Sequence, residues 1–286
     1  PRFLKSAISY LQTIKSKFPD LNLLIISTYF GPGSRALCRD EGVSYIDTFG
    51  NVGIFLKDVL ILKESQESPK RDRKELKFLF SPKSTRIIRI MLENPGKRWI
   101  LNELAIAANI SLGGTYNVIK KLADELYLEQ TQKGVYLINP AGLLEKWGSV
   151  YIITKANKID SFYLSEGVYK ALIQRLAAVA EKGNYSYAFT LFAGTSFIIP
   201  YVHTPHVHLY LTGDIEKFAE EAKLKAVDSG ANVHIVIPYD EGVINPIQSF
   251  EGVKIVGNIQ LYMDLLNYPS RGKEQAIVLR DKFISF

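Results

Sequence analysis

The chain has 286 residues, 47% of them hydrophobic and 22% charged, with a formal net charge of +6 and a single cysteine. This length predicts two or three domains with room for real cores, and no apolar run approaches the ~20 residues that a membrane span needs. One cysteine excludes an intrachain disulfide framework or a cysteine-built zinc site, and the N-terminus lacks the layout of a secretory signal, so a cytoplasmic protein is expected.

Residues 1–68 read as a small α/β unit. Leu4, Ile8, Leu11 and Ile14 recur at helical spacing over 3–18. A short apolar run at 21–27 predicts a buried strand, Gly31-Pro32-Gly33 a turn, and 34–41 a second helix. Strands are expected at 43–46 and across 53–63, separated by Gly50 and Asn51. The polar stretch 64–74, ESQESPKRDRK, reads as a linker.

Residues 69–150 predict a winged helix-turn-helix with its basic linker. Helices are expected at 84–93, 101–108 and 112–126, with Asn109-Ile110-Ser111 as the turn. Strands at 128–131 and 134–138 form a hairpin, the wing, and a further helix starts near 140. Residues 151–286 alternate again and predict a C-terminal α/β domain. Its helices are expected at 166–182, 215–222, 259–266 and 271–281, its strands at 185–192, 207–211, 233–237 and 253–256.

The charge is unevenly placed. Residues 69–150 hold fourteen basic and eight acidic side chains, so this segment carries the whole net charge and the rest nets zero. One domain meeting a polyanion gives this distribution; so does a solvated, charged linker.

A recognition helix packs one face on its domain and offers the other to the major groove. The spacing of Leu112, Tyr116, Ile119, Leu122 and Leu126 predicts the packed stripe, which leaves Gly113, Gly114, Asn117, Lys120 and Lys121 outward and Thr115 at the boundary. Ser111 is placed as N-cap, aiming free N–H groups at a phosphate. Asn suits adenine edges, and Lys suits phosphates or guanine. Two adjacent glycines in a helix cost roughly 1 kcal/mol each against alanine; close approach to DNA and close helix packing both account for them. Lys97, Arg98 and Lys133 stand where helix ends and a wing tip would straddle the phosphates.

Other signals carry less. His203, His206 and His208 form an H-x2-H-x-H cluster, a weak metal candidate because no carboxylate stands nearby and Thr204-Pro205 intervenes. Gly194-Thr195-Ser196 followed by His206 and His208 has the spacing of a nucleotidyltransferase signature. The metal-holding carboxylates of that signature are replaced by histidine. Asp47 with Lys57 and Lys63 suggests a nuclease core, but Phe55 and Ile61 stand where a second acid is needed, so a turn built on Asp47 and Asn51 is expected instead. Nothing activates Cys38. No cofactor is called for, and an enzyme is not expected.

Three stretches carry a resemblance: Gly42–Asn51 (GVSYIDTFGN), the helix-turn-helix, and 259–272 (IQLYMDLLNYPSRG). Together the chain resembles the antitoxin component of AbiE abortive-infection, type IV toxin–antitoxin systems, with an additional N-terminal α/β unit. The resemblance implies a transcriptional autorepressor that binds double-stranded operator DNA upstream of its own operon and counters a nucleotidyltransferase-like toxin, with the C-terminal domain implicated in the latter. A homodimer is a further expected partner; a membrane is not. In the closing motif, Leu261, Leu265 and Tyr262 are expected inward, and Asp264 is expected to pair with Arg271. The alternatives are a ligand-sensing regulator without a toxin, or a metal-dependent nuclease or nucleotidyltransferase relative.

Overall fold

A computed structural model describes residues 2–64, 79–165 and 168–286. The predicted linker beyond Glu64, with its basic residues at 70, 71, 73 and 74, lies outside the described residues, as do Lys77 and residues 166 and 167 of the helix expected at 166–182. The chain is a mixed α/β protein. Among the described residues, no helix is long and apolar enough to cross a membrane. Two compact units are distinguished: residues 1–81, 98–103 and 111–139, and residues 82–97, 104–110 and 140–286.

In the first unit, α1 (Arg2–Lys17) is followed by β1 (Leu24–Ser27), α2 (Pro32–Asp40) and β2 (Ser44–Asp47). β2 runs parallel to β1, and β3 (Val52–Phe55) and β4 (Leu60–Lys63) continue the sheet antiparallel. Ile8 and the flanking Leu4 and Leu11 of α1 pack with Leu23, Phe30, Cys38, Val43 and Tyr45, as the helical spacing requires. The Asp47–Asn51 turn is structural. Asp47 accepts the Phe30, Phe49 and Asn51 N–H groups at 2.8, 2.9 and 3.0 Å and the Asn51 amide at 2.8 Å. Burial alone would raise its pKa; these four donors outweigh it and hold the carboxyl below its ordinary range.

Along the chain, α3 (Pro82–Glu93), α4 (Leu101–Ala108), α5 (Leu112–Asp124) and the hairpin β5 (Leu128–Thr131) and β6 (Gly134–Leu137) follow one another as expected. α6 (Pro140–Gly148), α7 (Ile153–Ala156), β7 (Lys158–Tyr163) and α8 (Tyr169–Lys182) lead on. β8 (Ser186–Thr190) gives way at once to α9 (Leu191–Ile198), where a strand was expected to continue to 192. Then come β9 (Val207–Thr212), α10 (Ile215–Ala222), β10 (Lys225–Ala226) and β11 (Val233–Ile237). A 3₁₀ turn (Glu241–Ile244), β12 (Ile247–Phe250), β13 (Val253–Val256), α11 (Asn258–Leu266) and α12 (Gly272–Phe283) complete the chain.

The second unit is built on a seven-stranded mixed sheet ordered β10-β7-β11-β9-β8-β13-β12. β9 runs parallel to β11, and five of its six residues are buried, as expected of a central strand covered on both faces. Leu261, Tyr262 and Leu265 of α11 are buried as expected, and so are the remaining residues from Ile259 to Leu265, which leaves that stretch no solvent face.

Asp264 does not meet Arg271. Arg271 is exposed and pairs with Glu274 at 2.6 Å, over the Tyr201 ring. Asp264 instead sits in the core and accepts hydrogen bonds from Thr190 Oγ1 (2.5 Å), Gln260 Nε2 (2.7 Å), Tyr151 Oη (2.8 Å) and Tyr210 Oη (3.0 Å). Gln260 joins it to a buried cation, since its Oε1 accepts from Arg89 at 2.7 and 3.0 Å. Arg89 also donates to the Gly242 carbonyl and lies 5.4 Å from the Trp147 ring centre. A charge on helix α3 and one on α11 are thus satisfied within one continuous polar chain, which is what burial demands.

Candidate nucleic-acid interface

α5 begins at an N-cap and presents an exposed N-terminal face. Ser111 takes extended backbone angles, and its hydroxyl accepts the Gly114 N–H at 3.2 Å, the N-cap that the sequence predicts. The buried stripe differs from expectation. Thr115, Val118, Ile119 and Leu122 are buried, whereas Leu112 and Tyr116 are 52% and 50% exposed. The helix is therefore rotated from the predicted orientation, because Val118 and Thr115 fill the inner face in place of the larger side chains. Thr115, predicted at the boundary of the DNA face, is fully buried and drops out of that face.

The outward line is then Leu112, Gly113, Tyr116, Asn117 and Lys120, all exposed, with Lys121 and Gly114 half-buried beside it. A Cβ placed on Gly113 would meet nothing within 4 Å, so close packing inside the chain is not what this glycine serves. Leu126, in the left-handed region with φ 61°, ends the helix turn, and Tyr127 N–H bonds back to the Leu122 carbonyl at 2.9 Å. The hairpin follows directly.

The hairpin gains a third, short partner that the sequence reading did not find. Trp99 bridges Val135 in antiparallel fashion, with N–H to O distances of 2.8 and 2.9 Å in the two directions. This places Arg98 along the hairpin. Its guanidinium lies 4.3 Å from the Tyr136 ring centre and 3.4 Å from Thr131 Oγ1, and Tyr136 donates to Glu129 at 2.9 Å. The stacking supplies a signal for the pairing: an Arg-Trp dipeptide before a helix and a Tyr-containing strand after it. Lys133 is exposed at the tip, where its N–H bonds to Thr131 Oγ1 at 3.2 Å. Gly134, the first residue of β6, takes φ +122°, and a Cβ there would stand 2.6 Å from the Trp99 carbonyl oxygen. The first unit thus carries Ser111, Gly113, Gly114, Asn117, Lys120, Lys121, Arg98 and Lys133. Lys97 is exposed and belongs to the second unit.

The histidines regroup. His206 and His208 meet His234, which lies beside His208 in register on β11, while His203 is exposed and apart from this group's contacts. His206 Nδ1 is 3.1 Å from His234 Nε2, and the His208 and His234 rings stack at 4.5 Å. His208 Nε2 is 2.9 Å from the Tyr268 hydroxyl, and His234 Nδ1 is 3.1 Å from Ser161 Oγ. Stacked rings do not converge on one point, and among the described residues no group of three or more His, Cys, Asp or Glu side chains could hold a metal ion. Burial, then repulsion from the neighbouring imidazoles, holds His208 well below the ordinary histidine pKa, and His234 is lowered by the same causes. Their cross-strand register is invisible in the chain until β9 and β11 pair.

A family model described as "Transcriptional regulator, AbiEi antitoxin, Type IV TA system" matches residues 136–285, just over half of the chain. The chain belongs to this AbiEi antitoxin family of transcriptional regulators. The matched region begins within β6 and contains the whole seven-stranded sheet and the 259–272 motif. Residues 42–51 and helices α3 to α5 precede it. Searches of the curated proteins and of the solved structures found no match.

Proposed function

We propose that this AbiEi family member is a DNA-binding autorepressor, with residues 69–150 as a winged helix-turn-helix between an N-terminal and a C-terminal α/β domain. One observation carries the reading. The N-capped helix α5 turns Asn117, Lys120 and an unfilled Gly113 outward, in the same unit as a hairpin with Lys133 at its tip and Arg98 alongside it. A capped helix start attracts phosphate, and cations on a hairpin suit the flanking backbone. The family's description as a type IV antitoxin supports a toxin as protein partner; a nucleotidyltransferase-like toxin and action in the cytoplasm complete the proposal.

The same reading holds the chain to be non-enzymatic. Where a nucleotidyltransferase would hold its metal with two carboxylates, this chain has His206 and His208. Incubation with tRNA or DNA, nucleotides and Mg²⁺ or Mn²⁺ is expected to give no turnover.

The binding test uses the full chain and the DNA just upstream of its own gene. Lys120→Ala and Lys133→Ala are each expected to weaken binding and to flatten the dependence of log K on log salt by about one unit per lost phosphate contact. Unchanged affinity and slope in both variants would refute the placement of the interface.

A further inference from the structure

We infer that the exposed face of α5 reads thymine: Leu112 and Tyr116 seat against thymine C5-methyl groups in the major groove, with Asn117 beside them to bond an adjacent adenine. This deepens the DNA-binding reading above and rests on it. Leu112 and Tyr116 are each about half exposed although smaller residues of the same helix are fully buried, so the inner stripe is complete without them. Spaced four apart, they lie on one line with Gly113, Asn117 and Lys120, all exposed.

The company they keep selects the occupant. The face is apolar and cationic, and its first acidic residue, Asp124, comes only at the helix end. A capped helix start carries partial positive charge, which favours a polyanion over an apolar protein surface. Nothing stands within 4 Å of a Cβ built on Gly113, so backbone can approach a base-pair edge there. On that edge the thymine methyl is the apolar group, and the adjoining adenine offers N6 and N7 to an asparagine side chain. The Leu112 side chain and the Tyr116 ring are therefore matched, as apolar surface, to the thymine methyl, which lies at A·T pairs.

The experiment selects binding duplexes for the full chain from a random pool, then replaces each thymine of the enriched site by uracil, which removes only the methyl. One or two positions are expected to weaken binding roughly three- to fivefold each, the value of one buried methyl. Leu112→Ala or Tyr116→Ala should weaken binding to the thymine duplex by a similar factor, bind both duplexes alike, and lower thermal unfolding only slightly, since about half of each side chain is already in solvent. Uracil duplexes that bind as tightly as thymine duplexes, while Lys120→Ala still flattens the salt slope, would overturn the thymine readout and leave DNA binding standing. Absence of any duplex binding would overturn both. Loss of a protein partner in Leu112→Ala or Tyr116→Ala with DNA binding intact would also overturn it, by assigning the face to that partner.

Discussion

Replacing Asp264 separates a buried charge from its hydrogen bonds. The carboxylate accepts from Thr190, Gln260, Tyr151 and Tyr210 at 2.5 to 3.0 Å. Asp264→Ala strands these four donors in the core, beside the Arg89 cation that Gln260 holds; the expected cost is ~3–5 kcal/mol, the range for breaking a buried ionic network. Asp264→Asn keeps an acceptor toward Tyr151, Tyr210 and Gln260, and the Thr190 hydroxyl can turn to accept from the new amide. It also sheds a buried charge. Burial pushes Asp264 up to about 6, against the donors that oppose the shift. The asparagine variant is therefore expected within ~1 kcal/mol of the parent at neutral pH, as hydrogen-bond loss and charge relief offset each other.

The sign with pH follows from the raised value. The contribution of Asp264 to stability is fully present below its unfolded value of 3.8 and is lost as pH rises through about 6, an amplitude of ~3 kcal/mol that Asp264→Asn should abolish. Urea unfolding in a Trp99→Phe background leaves Trp147, which is buried beside Tyr151 and Arg89, as sole tryptophan reporter of this unit. A loss below ~1 kcal/mol in Asp264→Ala, or equal damage from alanine and asparagine, would show that the buried carboxylate does not hold this network together.

Three further outcomes are expected. Ser111→Ala removes the cap on Gly114 N–H and should cost ~1 kcal/mol in unfolding of the first unit, read by Trp99 fluorescence in a Trp147→Phe background. Gly134→Ala puts a Cβ 2.6 Å from the Trp99 carbonyl at φ +122°, so it should cost ~1–3 kcal/mol or more by the same reading and weaken DNA binding through the hairpin. The lowered pKa values of His208 and His234 contribute stability that is present above the unfolded histidine value of 6.5 and is lost as pH falls toward their folded values. His208→Gln should make the urea midpoint less sensitive to acidification below 6.5, and an unchanged pH profile would remove the histidine group from that account.

Local physics was legible in the chain without its fold. Ser111 caps α5 and Asp47 closes its own turn on Asn51, because each involves groups a few residues apart. Most helices and strands follow from periodicity for the same reason. Which side of α5 faces inward depends on what it packs against, and that set Thr115 inside and left Leu112 and Tyr116 outside. Long-range pairing decided the rest: His234 beside His208 through strand register, Trp99 against Val135, and Asp264 among Thr190, Tyr151 and Tyr210 rather than with Arg271. A chain reports its neighbours in sequence, and a buried charge is answered by its neighbours in space; the sheet that brings the second set together exists only once the strands have found one another.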